Sequence, residues 1–341
     1  MTEGILLTGG AGYIGSHTYL ALAEAGYRPV ILDDFSNAHR SVIDRLAEIV
    51  GRPVPCEELN VLEEKDVTRA LADHRISAVV HFAAKKAVGE SVERPLDYLE
   101  NNICGLVALL RAMANANVFT MVFSSSAAVY GEPDRLPIPE TADCRPSSPY
   151  GFTKLTGEQI LDELRRADPR WRFGVLRYFN PVGAHASGLI GEDPASSPTN
   201  LVPYTAKVAV GELSEIVVFG DDYDTPDGTG VRDYVHVSDI AEGHVLSLRA
   251  LLEAKRSHLV NLGTGRGHSV LEVVSAYSAV CGHDLPYRVA GRRPGDVAAC
   301  YADVTLASEL LGFRARRDLA EMCRSSWTWN QNRSRAGSVY G

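Results

Sequence analysis

Through the first half of the chain, short apolar runs alternate with stretches in which apolar residues recur every three or four positions. The runs predict strands at 4–8, 29–33, 53–60, 77–83, 119–125 and 172–178. The helical period predicts helices near 13–26, 40–50, 63–74, 92–116 and 149–167. Ile5, Leu6 and Leu7 read as a strand covered on both faces. Such alternation implies an α/β fold of Rossmann type, a doubly wound parallel sheet with right-handed crossovers. After Phe179 the texture changes. The stretch 183–200 is rich in Gly, Pro and Ser, and 220–230 is a polar loop with repeated Gly and Asp. The expected division is 1–178 as a dinucleotide-binding Rossmann domain and 179–330 mainly as a smaller α/β substrate lobe. That lobe is expected to hold strands near 216–219 and 258–262, and 331–341 to form a polar, frayed tail.

The first strand runs straight into Gly9, Gly12 and Gly15 and then a helix. The first glycine can turn the chain tightly, the second admits a pyrophosphate, and the third lets helix pack on strand. The helix N-terminus directs free N–H groups at an anion. Asp33 ends the second apolar run, where an acid accepts from ribose hydroxyls. A carboxylate there repels a 2′-phosphate, so the expected cofactor is NAD rather than NADP. The spacing G-x-x-G-x-x-G resembles that of the extended short-chain dehydrogenase/reductases.

Composition narrows the partners. At 341 residues there is room for a nucleotide-binding domain and a second lobe, and the net charge of −9 argues against nucleic acid or an anionic membrane. The six cysteines are scattered without a C-x-x-C pair, so neither a zinc site nor a disulfide framework is expected. A reducing cytoplasm suits them, and neither a signal-peptide pattern nor an apolar run of membrane-spanning length is seen.

Candidate chemistry lies at Ser126, Tyr150 and Lys154. Ser148 and Pro149 read as a helix start, and Tyr150 and Lys154, four apart, project from one face of that helix. Ser126 closes the predicted strand before it. A phenolate base at neutral pH needs its pKa lowered by about 3 units from about 10, roughly 4 kcal/mol. One cation at about 5.5 Å in an effective dielectric near 20 supplies roughly 3 kcal/mol. Lys154 and a positive nicotinamide ring are together sufficient, and Ser126 can hydrogen-bond the reacting oxygen.

Longer stretches make the resemblance specific. They are Thr8–His17 (TGGAGYIGSH), Val80–Ser91 (VHFAAKKAVGES), Phe123–Gly131 (FSSSAAVYG), Ser148–Gly151 (SPYG), Leu176–Ala184 (LRYFNPVGA) and Asp227–Val237 (DGTGVRDYVHV). From end to end the chain resembles the UDP-glucose 4-epimerase family. The resemblance implies that Tyr13, Ile14, Asp33, Asn37, Phe82, Lys86, Asn101, Ser124 and Lys154 hold NAD, with Asn60, Val61, Tyr150, Tyr178 and the three glycines completing that site. It implies that Asn180, Asn200, Leu201, Phe219, Arg232, Arg293 and Asp296 hold a UDP-sugar, beside Ser126 and Tyr150. The two arginines suit a diphosphate. Cys300 stands at the family's pocket-size position, where a small side chain leaves room for a 2-acetamido group. Asn60 replaces a frequent acid, and its amide oxygen can still accept from the adenine amino group; Ala128 replaces a frequent threonine. A homodimer on helices 92–116 and 149–167 is implied too. A sugar-nucleotide 4,6-dehydratase, a pentose-nucleotide epimerase and a nucleotide-sensing protein without catalysis are the alternatives. The first needs an acid and a base beside a threonine, where this chain has Ser126-Ala127-Ala128.

Overall fold

The computed structural model describes residues 3–193, 200–293 and 295–339. In its first half, strands β1 (Gly4–Thr8), β2 (Arg28–Asp33), β3 (Cys56–Glu58), β4 (Ile76–His81), β5 (Thr120–Ser126) and β6 (Arg172–Tyr178) alternate with helices. These are α1 (Tyr13–Glu24), α2 (Ser41–Val50), α3 (Glu64–Asp73), α4 (Val88–Glu93), α5 (Pro95–Tyr98), α6 (Gly105–Asn115) and α7 (Pro149–Ala167). The second half contributes strands β7 (Asn180–Val182), β8 (Ile216–Phe219), β9 (Val231–Arg232), β10 (Tyr234–His236), β11 (His258–Leu262), β12 (His268–Ser269), β13 (Tyr287–Ala290) and β14 (Ala299–Cys300). Its helices are α8 (Leu201–Ala209), α9 (Val237–Glu253), α10 (Val270–Cys281), α11 (Thr305–Leu311) and α12 (Leu319–Val339).

Seven strands form one parallel sheet in the order β11-β6-β5-β4-β1-β2-β3. All five residues of β1 are buried, as a strand with helices on both faces requires. One core packs Ile5, Leu7, Ile31 and Val80 under α1 and α9, and the other packs Leu6, Val30, Val79 and Met121 under α3 and α6. Strand order reverses between β1 and β4, which opens a crevice at the carboxyl ends of the strands. A separate core of Val202, Ala206, Ile216, Val273, Tyr277 and Met322 supports the smaller lobe.

Four expectations need correction. The strand at 258–262 is β11, and it pairs with β6 at the edge of the large sheet rather than serving the smaller lobe. An apolar run announces a buried strand but not the sheet it joins. Of the tail expected at 331–341, the described residues 331–339 are instead the last part of α12, where Arg333 pairs with Asp193 at 3.0 Å and with Glu212 at 3.1 Å; 340 and 341 lie outside the described residues. The helix expected over 92–116 is divided into α4, α5, a π-helical turn over Leu99–Cys104 and α6. Pro95, which lacks an N–H, starts α5. The strand expected over 53–60 shrinks to Cys56–Glu58, because Pro53 and Pro55 cannot donate to a ladder.

Candidate active site

The glycine turn is built to leave donors free. Gly9 has φ +69°, and a Cβ there would sit 2.7 Å from the Ala83 nitrogen. A Cβ on Gly15 would lie 2.5 Å from the Gly9 carbonyl oxygen, so the helix packs on the turn only as glycine. Gly12 caps α1 without a side-chain hydrogen bond, which leaves the first-turn N–H groups at Tyr13 and Ile14 for an anion. Asp33 ends β2, where Oδ2 accepts from the Ala11 N–H at 3.0 Å and Oδ1 from the Phe35 N–H at 2.9 Å. Burial raises its pKa, and the two N–H donors pull it back. Asn37 follows in an exposed loop, and Asn60 and Val61 lie just past β3. Phe82 follows β4 and Tyr178 ends β6; their rings flank His244 of α9 with centroids 4.8 and 5.6 Å away. Asn101 lies in the π turn, whose Asn102 ties the Lys85 backbone to Thr153 of α7. These groups fit a dinucleotide lying across the switch point.

The three candidate reacting residues converge as expected. Ser148 accepts from the Gly151 N–H at 3.2 Å and Pro149 opens α7, which sets Tyr150 in the first turn. Ser126, at the end of β5, accepts from the Ala128 N–H at 3.1 Å. It also stands near enough to the Tyr150 hydroxyl to favour its ionised form. Lys154 is buried, donates to the Ser124 carbonyl at 2.7 Å and lies 5.9 Å from the centre of the Tyr150 ring. Burial lowers its pKa to about 8, against the opposing pull of Glu158.

The electrostatics differ from expectation at one point. Burial raises the Tyr150 phenol above its ordinary value, and the groups that oppose this are Ser126 and Lys86, not Lys154. Lys86 is the more distant residue in sequence, and its ammonium pairs with Glu192 at 2.9 Å. Burial works against that charge, and Glu192 more than restores it. Protein groups alone therefore leave the phenol above its ordinary value.

The smaller lobe gathers most of the expected substrate residues. Arg232 of β9 donates to the Val231 and Val297 carbonyls at 2.9 and 2.8 Å and lies 3.8 Å from Asp296. Arg293 donates to Asp296 at 2.9 Å and covers the Phe219 ring at 4.8 Å. Cys300 is paired with Arg232 across β14 and β9, and burial pushes its thiol up to about 11. Asn180 donates its backbone N–H to Asp233 at 2.9 Å, and Asp233 donates to the Cys300 carbonyl at 3.0 Å. Asn200 caps α8 without a side-chain cap hydrogen bond, and Leu201 begins that helix. No bond ties these last two to the Arg232 cluster.

Comparison with known proteins decides the family. The model of the NAD dependent epimerase/dehydratase family matches residues 5–263. The chain belongs to that family. It is 52% identical over 328 residues to the UDP-glucose 4-epimerase of Bacillus subtilis strain 168, covering 96% of this chain and 97% of that protein. Among solved structures, the Stenotrophomonas maltophila UDP-glucose-4-epimerase with bound NAD and formylated UDP-arabinopyranose is 49% identical. Its TM-score is 0.96, with 98% of this chain and 99% of that chain covered. The Bifidobacterium longum UDP-glucose 4-epimerase in complex with NAD+ and UDP is 48% identical with TM-score 0.93, covering 97% of this chain and 99% of that one. The Rossmann-type fold and the dependence on NAD are thus properties of the family to which the chain belongs.

Several supporting residues escape sequence reasoning. Glu158 lies one turn beyond Lys154, accepts from Ser125 at 2.5 Å and forms a buried fork with Arg177 at 2.5 and 2.9 Å. Its four-residue offset from Lys154 was a usable signal. His81 bonds Thr8 at 2.7 Å and is held neutral, its pKa lowered to about 3 by burial and then by Lys154. Glu192 had none, since 106 residues separate it from Lys86. Among the described residues no helix is long and apolar enough to cross a membrane, and no cluster of His, Cys, Asp or Glu is arranged to hold a metal.

Proposed function

We infer that this protein catalyses reversible epimerisation at carbon 4 of UDP-hexoses. The observation that carries the reading is the convergence of Ser126, Tyr150 and the buried Lys154 at the carboxyl end of β5. Tyr150 takes the proton of the sugar 4-hydroxyl and returns it later. Ser126 hydrogen-bonds the same oxygen and steadies the phenolate. NAD, when bound, would supply a reversible hydride acceptor for carbon 4 of the sugar. Lys154, whose ammonium lies 5.9 Å from the centre of the Tyr150 ring, would hold the nicotinamide ribose. Arg232 and Arg293 hold the diphosphate in forked contacts, Phe219 stacks on the uracil, and Asn180, Asn200, Leu201 and Asp296 complete the pocket. Release of the 4-ketose would stall the cycle, so the grip on the diphosphate must outlast its rotation.

A thiol at Cys300, in place of a large ring, favours turnover of UDP-N-acetylglucosamine and UDP-N-acetylgalactosamine as well. Six free cysteines suit a cytoplasmic enzyme. A homodimer is supported by exposed apolar side chains along α4 to α7, namely Val88, Val92, Leu96 and Phe152. The test is a coupled assay without added cofactor on UDP-galactose and UDP-N-acetylgalactosamine. Turnover of both is expected. Protein that retains NAD but converts neither sugar would overturn the enzymatic reading, and turnover of UDP-galactose alone would overturn the breadth.

A further inference from the structure

We propose that Asp34 is a specificity-determining residue for the cofactor's base, because it fixes which end of the Asn60 amide is offered to the purine. An amide offers an acceptor at one end and a donor at the other. Unless its orientation is set, it accepts from a 6-amino group or donates to a 6-oxo group with equal ease. Here two contacts set it. Asn60 Nδ2 donates to Asp34 Oδ2 at 2.7 Å, and Asn60 Oδ1 accepts from the Leu62 N–H at 2.9 Å. Turning the amide over would bring oxygen against a carboxylate oxygen and NH2 against an N–H, so both contacts reject the reversal.

Asp34 is itself anchored, with Oδ1 accepting from the Ser36 N–H at 2.9 Å and the Ser36 hydroxyl at 2.7 Å. Glu58, the other carboxylate at this rim, is engaged by Arg40. Asp34 and Asn60 follow the carboxyl ends of β2 and β3, whose last residues are paired as Asp33 and Glu58. In a doubly wound sheet the adenosine half of a dinucleotide lies there. The second lone pair of Asn60 Oδ1 is then the acceptor offered to an exocyclic amine, a contact that a 6-oxopurine cannot make. The inference rests on the NAD reading and extends it to a residue outside the predicted cofactor set.

The test exchanges holoenzyme against a large excess of an equimolar mixture of NAD and nicotinamide hypoxanthine dinucleotide, until the bound ratio is constant. Released dinucleotides are then quantified by chromatography. The parent is expected to favour NAD by about tenfold, the ratio for one unmade hydrogen bond. Asp34→Asn, isosteric but able to accept or donate, removes one of the two contacts that orient the amide and should cut the ratio by about threefold. Asp34→Asn combined with Asn60→Asp, which restores an obligate acceptor, should recover the parent ratio. An unchanged ratio in Asp34→Asn, or no recovery in the double variant, would overturn the proposal. Retention of neither dinucleotide by the parent would sink the NAD reading itself.

Discussion

The two sides of the crevice are assembled in opposite ways. On the expected cofactor side, the glycine turn, the helix start and the acid proposed for the ribose come from a single stretch, Gly4 to Asp33. Its pieces bond one another directly, as Ala11 does Asp33, even though further residues of that side come from other elements. On the substrate side, Asn180, Phe219, Arg232, Arg293 and Cys300 come from separate elements that meet through short strand pairings and side-chain contacts. A continuous stretch can evolve as a unit and keep one ligand. An assembled wall can change a single member and alter what it accepts. Substitutions on the first side should therefore act on cofactor retention, and those on the second on substrate selection. Tyr150 stands at the seam.

The strongest test of that division is Tyr150→Phe. The ring stays, so both binding sides should persist, while the proton acceptor is lost. Epimerisation of UDP-galactose should fall by about 10³-fold or more, with bound NAD unchanged after gel filtration. A rate within about tenfold of the parent would move the base elsewhere, and loss of NAD would mean that the seam belongs to the cofactor side.

Next in size is Cys300→Tyr, which alters only the assembled wall. A phenol ring in the space of a thiol should impose overpacking of about 1–3 kcal/mol on a 2-acetamido sugar. That corresponds to a loss of about fivefold to a hundredfold in kcat/KM for UDP-N-acetylgalactosamine, with UDP-galactose turnover and NAD content little changed. An equal loss for both sugars would show that the residue supports the lobe rather than gating it.

Legibility in the sequence follows the same division. The glycine turn, Asp33 and the Tyr150–Lys154 pair were readable because their partners lie within a strand, a turn or one helical turn. Strands β1 and β6 and helix α7 match their expected limits, since apolar runs and a Ser-Pro start are local signals. What the residues alone could not reveal depends on long closures: β11 joining β6, α12 continuing past Asn330, and Lys86 meeting Glu192. The substrate residues themselves were reached through family resemblance, because neither spacing nor periodicity links Arg232 to Cys300. The breaks between α4 and α6 had a local cause at Pro95, but the π turn that presents Asn101 is fixed by Asn102 bonding Lys85 and Thr153 across the crevice.

The smallest expected effect concerns Lys154 and separates its charge from that of Lys86. Burial holds Lys154 near a pKa of about 8, far below the ordinary lysine value, whereas Lys86 is raised, chiefly because Glu192 outweighs the cost of its burial. The sign follows directly. Below about pH 8 Lys154 is protonated and able to hold the nicotinamide ribose; as pH rises through that value the charge is lost, and that hold weakens. The rate should therefore decline on the alkaline side with an apparent midpoint near 8, even though higher pH by itself would favour a deprotonated base. Lys86, still charged there, cannot cause such a decline. Lys154→Arg keeps a cation through this range, so it should have a lower maximal rate, from altered reach to the Ser124 carbonyl, but no decline between about pH 8 and pH 9.5. The measurement is kcat for UDP-galactose across that range in parent and variant. A parent that stays flat would mean that the cofactor holds Lys154 charged, and a decline of equal size in both would assign the titration to another group facing the crevice.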